Sequence, residues 1–194
     1  MVYCEKYLLK DIVEIQSGYS IRGSIPEDPE GRIAMLQMKD VKQESGINWN
    51  DLTRIRQVSK REPRYLKKSD VVFSGRGTTI FAAPVTIEPG NVVASPQFFI
   101  LIPIKGINAV YLSWFINSNI AQKYFWKHAG GSSIINVNRN VLENLLVPVP
   151  SSKDINAFSN LIQAIHKENK LHNELTNKRN RLMEIILTNS MENE

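Results

Sequence analysis

The chain has 194 residues, 42% of them hydrophobic and 22% charged, with a formal net charge of +5, which is the profile of a globular protein rather than of a fibrous or disordered one. A single cysteine, Cys4, excludes a disulfide framework and a cysteine-based zinc centre. No apolar run is long enough to span a bilayer and no signal-peptide pattern is present, so the cytoplasm is the expected compartment.

In chain order, Leu8–Ile15 reads as a short helix, or a strand entering one, ended by Gly18. Gly18 to Gly23 is a polar loop carrying Tyr19 and Arg22. Ile33–Met38 alternates like a strand, and Asp51–Val58 is an expected exposed strand among arginines. Residues 1–150 hold 18 Lys and Arg against 13 Asp and Glu, whereas residues 151–194 hold 6 of each. The whole excess therefore sits on the N-terminal part. Within it, Arg54, Arg56, Lys60, Arg61, Arg64, Lys67 and Lys68 face only Glu62. Such a run suits a polyanion, and its bland alternative is a solvated loop.

Lys67–Asp70 is a predicted turn before the buried-strand run Val71-Val72-Phe73. Gly75–Thr79 reads as a tight turn, after which Ile80–Val85 returns as a strand. Asn91–Ala94 and Phe98–Pro103 are two further strands around a Ser95-Pro96-Gln97 corner. Helical pattern begins at Ala109 and resumes over Ile120–His128. Gly130 to Ser133 breaks it, Asn138–Leu145 is a short helix, and Leu146–Pro150 closes the domain in extended form. Strands first and helices after argue an α+β class.

The tail from Ser151 to about Thr188 contains no Pro or Gly, and Ser151 followed by Asp154 is a capping-box start. About 36 helical residues reach roughly 54 Å, more than a small domain's diameter. Leu161, Ile165, Glu168, His172, Leu175, Arg179, Leu182 and Ile186 keep a 4-3 rhythm, so a projecting helix with a partner helix is expected. The alternative is a helix folded back on its own domain. The expected organisation is thus a mixed or antiparallel-sheet domain over 1–150, a dimerisation helix over 151–188 and a frayed tail over 189–194.

No catalytic constellation emerges. Asp154 and Glu168-Asn169-Lys170 mimic a nuclease motif, but 14 helical residues separate the two carboxylates by roughly 21 Å, too far for one metal. His166 and His172 are not spaced to share a helix face, and His128 has no neighbouring acid. The residue Gly75 opens a Gly-Arg-Gly run that lacks the lysine of a phosphate loop.

A binding reading remains. Arg reads guanine and Gln or Asn reads adenine, and Lys, Ser, Thr and backbone N–H groups hold phosphates. The base-reading candidates are Tyr19, Arg22, Arg76, Thr78, Gln97, Ser132 and Ser133. The phosphate candidates are Arg54, Arg56, Lys60, Arg61, Arg64, Lys67, Lys68 and Lys127. The expected helix interface is Phe158, Leu161, Ile162, Ile165, His172, Leu175, Leu182 and Ile186.

The ordered set Leu9-Lys10-Asp11-Ile12, Gly18-Tyr19-Ser20, Tyr65 through Phe73, Arg76-Gly77, Ser95-Pro96-Gln97, Gly131-Ser132, Leu145 through Pro150 and then a long helix resembles the DNA-specificity subunit of type I restriction–modification systems. The resemblance spans nearly the whole chain. It implies a target recognition domain that makes no bond itself, binds no cofactor and reads double-stranded DNA. It also implies a methyltransferase subunit that uses S-adenosylmethionine and a restriction subunit driven by ATP and Mg. The usual subunit carries two recognition domains and two helices, antiparallel within one chain; here there is one of each, and the Glu-Gln pair usual after Pro150 is missing. A half-size form is expected, pairing with itself antiparallel. Setting Phe158 against Ile186 would bring His172 onto the two-fold axis. A protein-interaction adaptor or regulatory fragment that no longer binds DNA is the alternative.

Overall fold

The computed structural model describes residues 4–21, 23–42, 46–56, 63–77, 79–104, 106–128 and 135–191. It is an α+β domain that sends out one long C-terminal helix. Its centre is an antiparallel sheet of β2 (Val13–Ser17), β11 (Phe98–Pro103), β7 (Val71–Ser74) and β9 (Phe81–Pro84), in that spatial order. Both faces of this sheet are covered, which is why its strands read as continuous apolar runs rather than as alternation. The alternation persists in what each residue touches. Val71, Phe73, Ala82 and Leu101 face a cluster with the helices, whereas Val72, Ala83, Phe98 and Ile100 face a second sheet. Register agrees: Val72 pairs with Ala83 on one side and Ile100 on the other.

The second sheet has three strands. Here β10 (Val92–Ala94) runs parallel to β3 (Ile33–Leu36), and β6 (Thr53–Ile55) pairs antiparallel with β3. Its outer side is closed by Tyr19, Ile21, Ile25 and Tyr65 packed on Ile33, Met35, Ile55 and Val93. A 3-10 turn, Met38–Asp40, follows β3 and leads into the hairpin of β4 (Val41–Lys42) and β5 (Gly46–Ile47).

The helical face carries α1 (Leu9–Ile12), α2 (Ala109–Asn117), α3 (Asn119–His128) and α4 (Arg139–Glu143). Asn108 starts α2 as an N-cap, its side chain accepting from the Val110 and Tyr111 N–H groups. Phe125 of α3 lies 5.5 Å, centroid to centroid, from Phe73. The extended segment Leu146–Pro150 is a strand, β13, paired antiparallel with β1 (Cys4–Leu8), so the two ends of the domain are stitched together. Leu146–Pro150 is extended, as expected, whereas Arg76–Gly77, expected within a tight turn, is a strand, β8, that pairs with β12 (Ile135–Asn136) as a small ribbon.

Tyr111 ties these parts together. It is buried, and its hydroxyl donates to the Pro148 carbonyl. Burial, and secondly the electrostatic influence of nearby Cys4, push its pKa from 10.0 up to about 12. A phenol whose pKa is raised by folding stabilises the fold below its unfolded value and loses that contribution as pH climbs through the folded value. Urea midpoints should therefore fall between about pH 10 and 12. Tyr111→Phe should lack that component of the fall, and an identical decline in the variant would show that another group causes it.

The helix α5 (Ser152–Met191) has 40 residues, a length of roughly 60 Å. Ser151 and Asp154 make the expected start: the Asp154 N–H donates to the serine oxygen at 3.3 Å, and the serine hydroxyl donates to the Asp154 carboxylate at 2.6 Å. The first turns pack on the domain. Ile155, Ser159 and Ile162 are buried, and the Phe158 ring meets Tyr111 at 6.5 Å. Beyond Ile162 the helix projects, with Ile165 and the apolar residues from Leu171 to Leu187 exposed. Among the described residues no helix is long and apolar enough to cross a membrane.

Candidate nucleic-acid interface

Strand directions decide which loops meet. Ser74 at the end of β7 pairs with Phe98 at the start of β11 and with Phe81 at the start of β9, and Phe99 pairs with Ser17 at the end of β2. The loops after β2 and β7 and before β11 therefore leave one end of the central sheet. Those loops carry Tyr19, Arg76 and Gln97. They are far apart in sequence and are brought together by the antiparallel pairing.

The contact between two of these loops is tight. Gly18 N–H donates to the Phe98 carbonyl at 2.9 Å, and Tyr19 N–H donates to the Ala94 carbonyl at 2.8 Å. A side chain at Gly18 would put a Cβ 2.0 Å from the Ser95 carbonyl oxygen, so only glycine lets the loop lie on the Ser95 corner. Tyr19 is half-buried, its ring on the second sheet's outer cluster, and Gln97 is exposed. Ser95 is buried, and its hydroxyl has no partner among the described residues.

Arg76 is exposed on the ribbon. Its Nε donates to Asn136 Oδ1 at 3.2 Å, across the register pair Arg76–Asn136. Lys127, in the last turn of α3, is exposed. Arg22, Thr78, Ser132, Ser133, Lys60 and Arg61 lie outside the described residues.

The described residues of the basic run do not form one surface. Arg54 donates to the Gly31 carbonyl at 3.1 Å, and Arg56 pairs with Asp28 at 3.3 Å. Arg64 is a correction to the phosphate set. Its Nη1 and Nη2 fork onto the two oxygens of buried Asp70 at 3.0 and 2.9 Å, and Nη1 also donates to the Tyr65 carbonyl. A guanidinium held in this way is a structural clasp. Lys67 and Lys68 are exposed, but they precede β7, at the opposite end of the central sheet from Arg76 and Gln97. The run of β7 puts roughly 13 Å between those two ends. Lys68 neighbours Asn108 and Gln163, near the root of α5.

Sequence reasoning passed over Lys39 and Lys42. They line a cavity of about 520 Å³ with Asn48, Trp49 and Asn50, close to the same sheet end. Lys39 Nζ donates to Thr53 Oγ1 at 3.0 Å, and Gln37 Nε2 donates to the same oxygen at 2.8 Å. Two isolated lysines carry no signal in a sequence; only the fold groups them. Asn136 was passed over for the same reason. Among the described residues no cluster of three or more His, Cys, Asp or Glu side chains could hold a metal ion.

The comparisons agree with this architecture. Residues 1–177 match the type I restriction modification DNA specificity domain family, and the chain belongs to that family. No curated protein matches it. Three solved structures are similar in fold. The S subunit of a type I restriction–modification system from M. genitalium has 13% identity and a TM-score of 0.53, over 86% of this chain and 40% of that one. The HsdS subunit from Thermoanaerobacter tengcongensis has 15% identity and a TM-score of 0.59, over 87% and 39%. A chain from work on complex assembly and conformational transition of the type I R-M system has 13% identity and a TM-score of 0.64, over 91% and 41%. This chain thus spans about two fifths of the length of each of them.

Proposed function

We propose that this chain is a DNA-sequence-recognition subunit of a type I restriction–modification complex. The observation that supports this most is the grouping of Tyr19, Arg76 and Gln97 at one sheet end of a net-basic domain from a DNA-specificity family. The chain makes no bond itself. It positions a methyltransferase subunit, which brings S-adenosylmethionine, and a restriction subunit, which brings ATP and Mg. Base edges are read by the loops at this sheet end, while phosphates are held by Arg54, Arg56, Lys127 and, towards the helix root, Lys67 and Lys68.

Two copies pair through α5 as an antiparallel homodimer. Such a dimer presents one domain twice about a two-fold axis, and the target then shares that symmetry. The expected target is bipartite, with two identical half-sites inverted about an unread spacer. Mapping methylated adenines in cells that hold this chain as the sole specificity subunit, beside its methyltransferase, checks the prediction. A continuous site or two unrelated half-sites would refute it.

A further inference from the structure

The β8–β12 ribbon holds Arg76 in a way that differs from the described arginines of the basic run. Arg54 gives one nitrogen to a carbonyl, Arg56 one to a carboxylate, and Arg64 both η-nitrogens to a carboxylate. Arg76 has no acidic partner among the described residues, and its one bond there is from Nε to the neutral amide of Asn136. Nε can only donate, so the amide turns its oxygen to Arg76. The guanidinium is planar, and fixing Nε fixes that plane. The Nη1 and Nη2 edge of this exposed side chain carries no hydrogen bond among the described residues.

The ribbon is firmly seated. Ile135 and Val137 are buried on either side of exposed Asn136. Val137 N–H donates to the Gly75 carbonyl at 2.7 Å, and a Cβ at Gly75 would stand 2.9 Å from the Val137 oxygen. Period-2 alternation then turns Asn136 and its register partner Arg76 to the same outer face. A two-stranded ribbon is one of the elements that fits the major groove, where an arginine fork reads guanine O6 and N7.

We propose that Asn136 is a positioning residue for base readout: by holding Arg76 Nε it presents the two η-nitrogens as a fork for one guanine in each half-site. This rests on the reading of the domain as a DNA-recognition module.

The test uses the complex of the full chain with its methyltransferase subunit and a pool of random-sequence duplexes. The selected motif is compared among wild type, Arg76→Ala, Asn136→Ala, Asn136→Asp and the double alanine variant. Arg76→Ala should lower the preference for guanine at one position by about tenfold to a hundredfold. Asn136→Ala should relax the same position, and the double variant should be no worse than Arg76→Ala. Asn136→Asp keeps an acceptor for Nε, so it should retain the guanine preference while its added charge lowers affinity for all duplexes alike. The proposal is overturned if Asn136→Ala leaves that position intact, relaxes a different one, or adds its effect to that of Arg76→Ala. A wild-type complex that selects a motif unaffected by Arg76→Ala overturns this proposal alone. A wild-type complex with no sequence preference overturns the recognition reading beneath it.

Discussion

Asp70→Ala is expected to destabilise the domain by about 3 kcal/mol, the lower end of the range for breaking a buried ion pair. The lower end applies because Arg64 keeps 26% of its side-chain surface while Asp70 keeps 3%. The carboxylate accepts both η-nitrogens of Arg64 and the Lys67 N–H at 2.7 Å, so its loss leaves a half-buried cation and an unpaired amide. Lys67-Lys68-Ser69 then loses its anchor, although Ser69 adopts a φ of 76° that a non-glycine residue holds only under constraint. Arg64→Ala should cost a similar amount, because it strands the buried carboxylate. The double change Arg64→Met with Asp70→Leu should be less destabilised than either single change, since the unpaired charge disappears with its partner. Urea unfolding measures all three. Single variants within about 0.5 kcal/mol of wild type, the ordinary range for surface changes, would refute the clasp. DNA binding gives a second check. Arg64→Ala should leave the dependence of affinity on salt unchanged, whereas loss of a phosphate contact would flatten its slope by about 0.9.

The parts of the fold that were legible share one cause. Val71–Phe73, Ile80–Val85 and Phe98–Pro103 announce themselves because both faces of the central sheet are covered, so local composition carries the signal. The start of α5 was legible because Ser151 and Asp154 are three residues apart. What stayed hidden depends on distant partners. Cys4–Leu8 becomes a strand only because Leu146–Pro150 returns beside it. Arg76–Gly77 reads as a turn until Ile135–Asn136 arrives as its partner. The site divides in the same way. Tyr19, Arg76 and Gln97 stand out by their chemistry, and their common location follows from strand direction. Arg64 belongs with its basic neighbours in sequence, whereas its geometry pairs it with Asp70.

The helix carries the second large expectation. From the sequence Phe158 and Ile162 are expected to face a partner helix, but Phe158 packs on Tyr111 and Ile162 is buried on the domain. The seam left open begins at Leu161 and Ile165, which are 58% and 44% exposed, and ends at Leu182 and Ile186, which are 57% and 50% exposed. An antiparallel pair built on these residues is centred between residues 173 and 174, not on His172. Leu161 then meets the second copy's Ile186, and Ile165 meets its Leu182. The same register sets Glu168 opposite Arg179 twice in each dimer, with His172 beside Leu175. A parallel pair would instead set Glu168 against Glu168 and Arg179 against Arg179. The charges therefore favour the antiparallel arrangement, because opposite charges across a seam select orientation and partner. Glu168→Arg should weaken the dimer by roughly tenfold to a hundredfold, since attraction becomes repulsion at two symmetric places. Arg179→Glu should do the same, and the two changes in one chain should restore association. Sedimentation equilibrium across a concentration series reads the dissociation constants. Failure of the double variant to recover, with both singles weakened, would rule out this register. In a chain with Cys4→Ser, cysteines substituted at Leu161 and Ile186 should cross-link between copies, whereas Leu161→Cys alone cross-linking to its own copy would mean that the helices run parallel.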